Sequence, residues 1–449
     1  MQTLDAIVQS AVDLAWGLPL VLLLIVGGLA LTIYSRFVPL RRGWHAVQIL
    51  TGRFDKADDP GQITHFQALA TALAATIGVG NIGGVAIALT QGGPGAVFWM
   101  WVAAAVGMTT KFFDCTLSQL YRAPDEKGVM QGGAMYTIEV GLGRRWKPLA
   151  VLFATFGMIG CLPMFQTNQV AEILALEGIA PWVTASAATA LVALVAFGGV
   201  ERIGTVTARL VPAMCVLYLL LALAVLVIRI EAVPRVFSDI FSSAFTGRAA
   251  VGGAAGLTFI QVVLIGVKRG AFSNEAGIGT ATLAHGAART KEPVREGLVA
   301  MLGPFIDTIL VCSLTAFVIL VAVDPSVGDV AGVSLTAQAF AETLGPWAQY
   351  ALILIVLMFA LSTMISYSYY GKKCFGYLFG ARRANLYTWF YLVGLFLGGV
   401  WSAALVINVI DTAFALMAFP NMIATLILAP KVIAATRDYF ERARRGETH

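Results

Sequence analysis

Residues 71–95 read TALAATIGVGNIGGVAIALTQGGPG. The stretch is apolar enough for a bilayer, but its middle holds four glycines and an asparagine: Gly78, Gly80, Asn81, Gly83 and Gly84. Glycine costs a helix about 1 kcal/mol relative to alanine, so the pattern predicts a helix that is interrupted halfway. Opened backbone inside a membrane is tolerated only where it is buried in protein or lines a cavity. Such an interruption is typical of the solute site of a secondary transporter; the alternative is close helix packing through small residues.

The composition is that of a polytopic membrane protein. Of 449 residues, 58% are hydrophobic and only 12% are charged, and the mean hydropathy is +0.81. Soluble domains carry about 25% charged residues. The net charge of +5 follows membrane topology, so no nucleic-acid partner is expected. The five cysteines include no CxxC pair and the four histidines show no metal-binding spacing, which argues against a disulfide framework or a transition-metal site.

A membrane span needs about 20 mainly apolar residues. This rule predicts an all-α protein with eleven transmembrane segments: 17–35, 67–90, 95–119, 148–174, 182–199, 208–230, 254–286, 297–322, 346–370, 385–403 and 408–430. The seventh segment is too long and too rich in glycine for one plain helix. We therefore predict that it consists of two half-helices.

The two interrupted segments indicate an internal repeat. The glycine-rich break at 76–84 has a counterpart in GAFSNEAGIGTAT, residues 270–282. Each break opens a block of five segments, and because five is odd the blocks run oppositely through the membrane. The predicted organisation is therefore an N-terminal helix with an amphipathic stretch, a first repeat, an outer connection, a second repeat and a basic tail: residues 1–66, 67–230, 231–253, 254–430 and 431–449.

The basic residues predict the orientation. With the N-terminus outside, 25 of the thirty Lys and Arg fall on one side, and only Arg229, Arg235 and Arg248 fall on the other. Lys268 and Arg269 lie within the seventh segment. The positive-inside rule then places the N-terminus outside and the C-terminus in the cytoplasm, in a bacterial-type inner membrane.

The first break offers two kinds of backbone group. Amides from Gly80 to Gly83, at the start of a half-helix, favour a carboxylate. Carbonyls from Thr76 to Val79, at the end of the other half-helix, favour a small cation. This pairing of helix ends fits an amino acid together with Na⁺.

The seventh segment adds Ser273, Asn274 and Glu275 at its break. A carboxyl group at membrane depth is costly unless it is paired or protonated. Lys268 and Arg269, one to two helical turns away, are its expected partners. Two interpretations stay open: a structural ion pair that fixes the break, or direct contact with the substrate.

Polar residues also interrupt other apolar segments. Gln166 to Gln169 follow Pro163, and at 100° per residue only one or two of them can reach a central site. In the ninth segment Ser362 and Thr363 offer hydroxyl oxygens for a hard cation, with Tyr367 one turn further on. The alternative for these hydroxyls is back-bonding to their own helix.

Three stretches resemble the alanine or glycine:cation symporter family. They are TIGVGNIGGVAIALTQGGPGAVFWMWVAAAVGM (76–108), GGAMYTIEVGLG (132–143) and GVKRGAFSNEAGIGTATLAHGAARTKEPVREGLVAMLGPFIDT (266–308). The resemblance covers residues 15–440 and implies a leucine-transporter-type fold, with five-plus-five inverted repeats and one extra N-terminal helix. It also implies Na⁺-coupled uptake of alanine or glycine.

The resemblance assigns roles to matching positions. Amino-acid binding points to Thr76, Gly78, Asn81, Gln166 and 273–277, including Gly277. Cation binding points to Thr76, Val79, Ser362 and Thr363. One position departs from the family: members often read FSTILGWSYYGE where this chain reads LSTMISYSYYGK (361–372), so that Tyr367 replaces a tryptophan. If this side chain closes the pocket, the preferred substrate shifts to a slightly larger or more polar neutral amino acid.

The sequence thus predicts a monomeric Na⁺-coupled symporter of a small neutral amino acid, with no organic cofactor. A proton-coupled symporter that uses Glu275 or Asp307 is the nearest alternative. Asp307 either couples ions or partners Arg269, and the sequence leaves both open. An intramembrane enzyme is disfavoured because no nucleophile–base or metal pair lies at membrane depth.

Overall fold

The computed structural model describes residues 15–54, 58–196, 199–246, 258–325 and 332–447. Arg248, the first residues of the predicted seventh segment and part of the predicted connection 231–253 lie outside these ranges. The described chain is almost entirely helical, with one short antiparallel pair of strands, β1 (Ala123–Pro124) and β2 (Met130–Gln131).

The first half contains eleven helices in chain order. They are α1 (Leu18–Tyr34), α2 (Val38–Leu50), α3 (His65–Thr76), α4 (Val85–Gly92), α5 (Gly95–Leu120), α6 (Ala134–Tyr136), α7 (Lys147–Gly160), α8 (Met164–Ala175), α9 (Pro181–Ala196), α10 (Gly199–Ile228) and α11 (Val233–Thr246).

The second half begins at the seventh predicted segment. Its helices are α12 (Phe259–Asn274), α13 (Ala281–His285), α14 (Pro293–Ala300), α15 (Leu302–Pro304), α16 (Ser313–Ala322), α17 (Gly332–Leu344), α18 (Trp347–Phe379), α19 (Tyr387–Val400) and α20 (Ala403–Arg444). A π-helical stretch, Phe305–Cys312, joins α15 to α16. Every predicted segment coincides with a helix or with a run of helices.

Six of these helical stretches in the described chain are long and apolar enough to cross a membrane. The number rises to eight if each of two bent pairs counts as one crossing. One pair is α1 with α2, bent by 76°, and the other is α3 with the stretch Gly80–Gly92, bent by 51°. The chain is therefore a helical membrane protein, and the count of eleven crossings remains a prediction.

Both expected interruptions are present. α3 ends at Thr76 and α4 begins at Val85, with a π-helical turn, Gly80–Gly84, between them. α12 ends at Asn274 and α13 begins at Ala281.

The two interrupted helices run in opposite directions. His65, the first residue of α3, and His285, the last residue of α13, bind the same side chain, Glu296. The start of one interrupted helix therefore lies beside the end of the other. This arrangement is the one expected for inverted repeats.

Candidate solute and cation site

The first break exchanges a helical hydrogen bond for one to a side chain. Ile77 is extended (φ −72°, ψ 93°), and the N–H of Gly78 donates to Oδ1 of Asn81 at 2.8 Å. In a continuous helix that N–H would bind the carbonyl of Ala74. The Asn81 side chain therefore holds the break open and releases the Ala74 carbonyl for another partner.

The released carbonyl meets two hydroxyl groups of α18. Thr363 Oγ1 donates to the Ala74 oxygen at 2.9 Å, and Ser362 Oγ lies 3.3 Å from it. Both hydroxyls also contact the carbonyl of Phe359, at 2.8 Å from Ser362 and 3.2 Å from Thr363. The approach is close enough that a Cβ at Gly78 would overlap the Thr363 hydroxyl. Four neutral oxygens thus gather beside the break.

The structure gives the other two residues predicted for the cation a different setting. The Thr76 hydroxyl donates back to the carbonyl of Ala72 at 3.1 Å. Val79 is fully buried at the start of the π-helical turn. The hydroxyls of Ser362 and Thr363 therefore reach the carbonyl of Ala74, and the participation of Thr76 and Val79 stays a prediction.

The second break is a turn around two positive-φ residues. Glu275 ends α12 in the left-handed conformation (φ 55°), and Gly277 follows at φ 81°. Oδ1 of Asn274 accepts from the N–H of Ala276 at 2.9 Å. The Gly277 carbonyl accepts from Nδ2 of Asn421 at 3.0 Å. Side-chain amides thus satisfy backbone groups that the interrupted helix leaves free.

Asp307 joins the two breaks. Its Oδ1 accepts from Nδ2 of Asn81 at 2.7 Å, and its Oδ2 accepts from Ser273 at 2.8 Å and from Thr308 at 2.7 Å. Asn274 donates to the Thr308 hydroxyl at 3.0 Å. The carboxylate is completely buried. Three residues predicted for the site from sequence, Asn81, Ser273 and Asn274, therefore converge on one buried acid.

A small closed cavity lies beside this junction. Its lining comes from both breaks and from three further helices: Ala75, Thr76, Gly78, Gly80, Leu162, Phe165, Gln166, Phe272, Tyr367, Ile410 and Phe414. Its free volume of about 10 Å³ is close to the minimum that holds one water molecule. An amino acid therefore enters only if the walls move apart.

Aromatic rings form one wall of this cavity. The ring of Phe272 lies 5.3 Å from that of Phe165 and 5.7 Å from that of Phe414, measured between centroids. These three rings come from three different helices. Since they meet by packing alone, movement of those helices can separate them.

Gln166 is the member of the polar cluster that faces the cavity. Its Oε1 is buried without a hydrogen-bond partner. The hydroxyl of Thr167 binds its own helix at Pro163, Asn168 donates to the Trp401 carbonyl at 2.9 Å, and Gln169 donates to Glu172 at 2.7 Å. The expectation that only one or two of the four reach a central site agrees with this arrangement.

The expected pairing of Glu275 with Lys268 and Arg269 is wrong. Both basic side chains contact Oδ2 of Asp411 instead, at 2.8 Å from Lys268 and 2.9 Å from Arg269. Helical spacing favoured a local partner, whereas the tertiary fold supplies an acid from α20. The suggested pairing of Asp307 with Arg269 is excluded by the same contacts.

Glu275 is bound by hydroxyl groups. Thr280 donates to Oε2 at 2.5 Å and Tyr367 donates to Oε1. Tyr367 therefore presents its ring to the cavity, while its hydroxyl holds the residue that ends α12. The sequence pointed to this hydroxyl as part of the pocket wall, and its bond to Glu275 was not foreseen.

A second junction ties the breaks together at the other end. Glu296, in the first turn of α14, accepts from Nδ1 of His285 at 2.5 Å and from Nδ1 of His65. All three side chains are buried. Nearby, the N–H of Arg289 donates to the Ile63 carbonyl at 2.7 Å. The start of α3 is therefore fastened to the end of α13.

The whole chain, residues 1–449, matches the sodium:alanine symporter family. It belongs to this family. A sodium/alanine symporter of Methanococcus maripaludis is 40% identical over 98% of this chain and 98% of its own. An uncharacterized transporter of Haemophilus influenzae is 42% identical over 98% of this chain and 97% of its own. A probable sodium/glutamine symporter of Bacillus subtilis is 34% identical over 99% of this chain and 93% of its own.

Solved structures show the fold of this family member. MhsT in complex with L-phenylalanine superposes with a TM-score of 0.58 at 14% identity, covering 84% of this chain and 98% of MhsT. A Na⁺-coupled sialic acid symporter, in a substrate-bound outward-open state, gives 0.53 at 14% identity over 92% and 98%. Both are transporters of the leucine-transporter type, so the chain has a transporter fold and is not an enzyme.

Several residues of the site escaped sequence reasoning. Asp411 is an acid within an apolar segment, which is itself a signal of function that was available. The role of Glu296 could have been suspected from two histidines near the ends of the interrupted segments. The Ala74 carbonyl and the Phe272 ring carried no signal, because backbone release depends on Asn81 and phenylalanine is common in apolar helices.

Proposed function

We propose that the protein couples Na⁺ entry to the uptake of a small neutral amino acid by alternating access. The observation that carries this proposal is the meeting of two interrupted, oppositely directed helices at Asp307, beside a closed cavity lined by glycine backbone. Such a cavity isolates a solute from both sides of the membrane. Its closure by three separable aromatic rings fits an occluded state.

The amino acid is proposed to occupy the cavity between the breaks. The carboxylate lies against the backbone of Gly78 and Gly80, where no side chain hinders its approach. The buried amide of Gln166 has an unused acceptor for the ammonium group. Ser273, Asn81 and Asn274 then orient the second break and contact the substrate when the cavity expands.

Na⁺ is proposed to bind the oxygens of Ala74, Phe359, Ser362 and Thr363. Released carbonyls at the end of a half-helix are a characteristic Na⁺ site of broken-helix transporters. The four oxygens are neutral, which suits a monovalent ion that must also leave. Thr76 and Val79 complete the shell after a small rotation of the break.

Neutral oxygens make transport electrogenic. A zwitterion carries no net charge, so each cycle moves the charge of the cation. The membrane potential therefore contributes about 2.3 kcal/mol per charge per 100 mV to the driving force.

Two junctions are proposed to act as gates. Toward the end where α1 and α20 begin, Asp411 holds Lys268 and Arg269 beside the aromatic wall. Toward the opposite, basic end, Glu296 holds His65 and His285. Opening to either side separates one junction and leaves the other closed.

Topology and substrate complete the proposal. Eleven crossings in five-plus-five inverted repeats, with the N-terminus outside and the C-terminus in the cytoplasm, account for the asymmetry of basic residues. The protein acts as a monomer in a bacterial-type inner membrane. Alanine, glycine or a close relative is the substrate, and the relatives named for alanine and for glutamine bracket the range that Tyr367 selects.

Proton coupling through Glu275 or Asp307 is a second candidate. Within the described residues neither carboxyl group forms an ion pair with a basic side chain, although both are buried. A buried acid without a counter-charge is a place where a proton can bind.

Radiolabelled alanine uptake into proteoliposomes separates the two candidates. Accumulation above equilibrium under an inward Na⁺ gradient, at equal pH on both sides, is the expected result. Accumulation in Na⁺-free choline buffer under an inward proton gradient would favour the second candidate. Failure of alanine, glycine and glutamine to accumulate under either gradient would contradict both.

A further inference from the structure

A cleft of about 590 Å³ lies at the basic end of the molecule, away from the transport cavity. It is formed by the end of α1, the start of α2 and the last turns of α20. Five arginines line it: Arg36, Arg41, Arg42, Arg437 and Arg444. These residues are far apart in the sequence, so the fold itself gathers them around one space.

The charge of the cleft is not balanced by protein carboxylates. Within the described residues none of the five arginines forms an ion pair, and Glu441 is the one acid in the lining. Arg442, which is not part of the lining, shows the contrast: it binds Glu292 at 2.7 Å and Asp438 at 2.8 Å. Like charges in one cleft repel, so the cleft is arranged for an anionic ligand.

The backbone and an aromatic ring fix the cleft's shape. Arg36 and Phe37 are both in the left-handed conformation, with φ of 56° and 57°, which side-chain-bearing residues adopt rarely. The guanidinium of Arg42 stacks over the ring of Phe440 at 3.8 Å. His45 bonds to the Tyr439 hydroxyl at 2.8 Å. These contacts hold α2 against α20.

The rim of the cleft is apolar and open. Tyr34 and Phe37 are about half exposed, Trp44 is 74% exposed and Leu40 is 85% exposed. Exposed apolar side chains beside basic ones are typical of a helix that lies in the membrane interface. A ligand with an anionic head and an apolar tail matches both parts of this surface.

We propose that the cleft binds the phosphate headgroup of an anionic phospholipid, with the acyl chains along the exposed side chains of α1 and α2. Guanidinium groups bind phosphate oxygens in a two-pronged geometry, which explains five arginines and no lysine in the lining. Basic pockets between helices at the membrane surface bind lipid headgroups in this way. The bound lipid fastens α1 and α2 to α20, and through the Arg442–Glu292 pair it reaches α14, which carries Glu296.

The test is lipid binding by the purified full-length protein in neutral detergent, measured by native mass spectrometry and by thermal unfolding. The probes are phosphatidylglycerol, phosphatidylcholine and inorganic phosphate. The variant replaces four of the arginines together: Arg36→Gln, Arg41→Gln, Arg437→Gln and Arg444→Gln. Each basic residue near an anionic lipid contributes about fivefold to affinity, so we expect phosphatidylglycerol binding to weaken on the order of 100-fold.

A matched control removes four exposed arginines elsewhere: Arg144→Gln, Arg145→Gln, Arg382→Gln and Arg383→Gln. It should bind phosphatidylglycerol within about threefold of the wild type. Without lipid, the cleft variant should unfold at the same temperature as the wild type or higher, because repulsion is relieved. If it does not fold, the Arg41→Gln/Arg437→Gln variant should show a loss of about 20-fold.

Three results would overturn the assignment. Equal binding of phosphatidylglycerol by the cleft variant and the control would show that the arginines do not form the site. Equal binding of phosphatidylcholine by the wild type would show that the anionic head is not recognised. Inorganic phosphate that binds as tightly as phosphatidylglycerol would identify a soluble anion as the ligand.

Discussion

Replacing the two hydroxyls of α18, by Ser362→Ala with Thr363→Val, tests the cation site. Both changes nearly conserve volume, and together they remove two of the four oxygens gathered beside Ala74. A polar contact to a charged group contributes about 1.5 kcal/mol, so the pair contributes about 3 kcal/mol. Because about 1.4 kcal/mol corresponds to a factor of ten, the half-saturating Na⁺ concentration should rise on the order of 100-fold.

The assay is initial-rate alanine uptake into proteoliposomes across a series of Na⁺ concentrations. Thr363→Ser retains a hydroxyl and should keep the Na⁺ dependence close to that of the wild type. Ser366→Ala is a matched control, because Ser366 is a buried hydroxyl one turn away on α18 without a hydrogen-bond partner. The double variant also removes the donors to the Ala74 carbonyl, so its unfolding temperature is measured in parallel. An unchanged Na⁺ requirement in a folded double variant would refute the cation site.

Three other substitutions test the cavity and the gates, and one tests selectivity. Gln166→Leu should raise the half-saturating alanine concentration about tenfold or more through loss of a polar contact to the zwitterion, with unchanged Na⁺ dependence; normal alanine affinity would remove Gln166 from the site. Tyr367→Trp should narrow competition profiles toward alanine and glycine, whereas an identical profile would exclude a selective role. Asp411→Asn leaves buried basic groups without their carboxylate and should lower the free energy of unfolding by about 3 kcal/mol, measured by denaturant titration; a wild-type midpoint would argue against that ion pair. Glu296→Ala should favour opening at the basic end, seen as faster alkylation of buried cysteines by a membrane-permeant maleimide, and an unchanged rate would argue against that gate.

The helical segments and both interruptions could be predicted from sequence because they depend on local rules. Hydrophobic length marks the segments, and glycine at 78, 80, 277 and 279 marks the breaks. The same rules placed Asn81 and Ser273 at the breaks. Their convergence on Asp307 required the tertiary fold, since a carboxyl group 226 residues from Asn81 has no local signature.

Sequence spacing failed where two partners were possible. Glu275 lies within two turns of Lys268 and Arg269, which made a local ion pair the natural interpretation. In the fold, helix α12 ends at Glu275 and turns it toward Tyr367, while the basic residues face Asp411 on α20. The direction of a side chain around a break cannot be calculated from spacing, because the break changes the helical phase.

The release of the Ala74 carbonyl has the same origin. Glycine content predicts that the helix opens, but which carbonyl becomes free depends on the bond between Asn81 and the Gly78 amide. Sequence reasoning therefore chose Thr76 and Val79, a few residues away. The type of site was predictable, and the identity of the oxygens was not.

The most direct measurement is an experimental structure of the protein with saturating alanine and Na⁺. The account predicts density for the amino acid between the two breaks, with its carboxylate at Gly78 and Gly80 and its ammonium group near Gln166. It also predicts an ion among the oxygens of Ala74, Phe359, Ser362 and Thr363. Alanine bound elsewhere, with the aromatic wall still closed over an unchanged cavity, would contradict it.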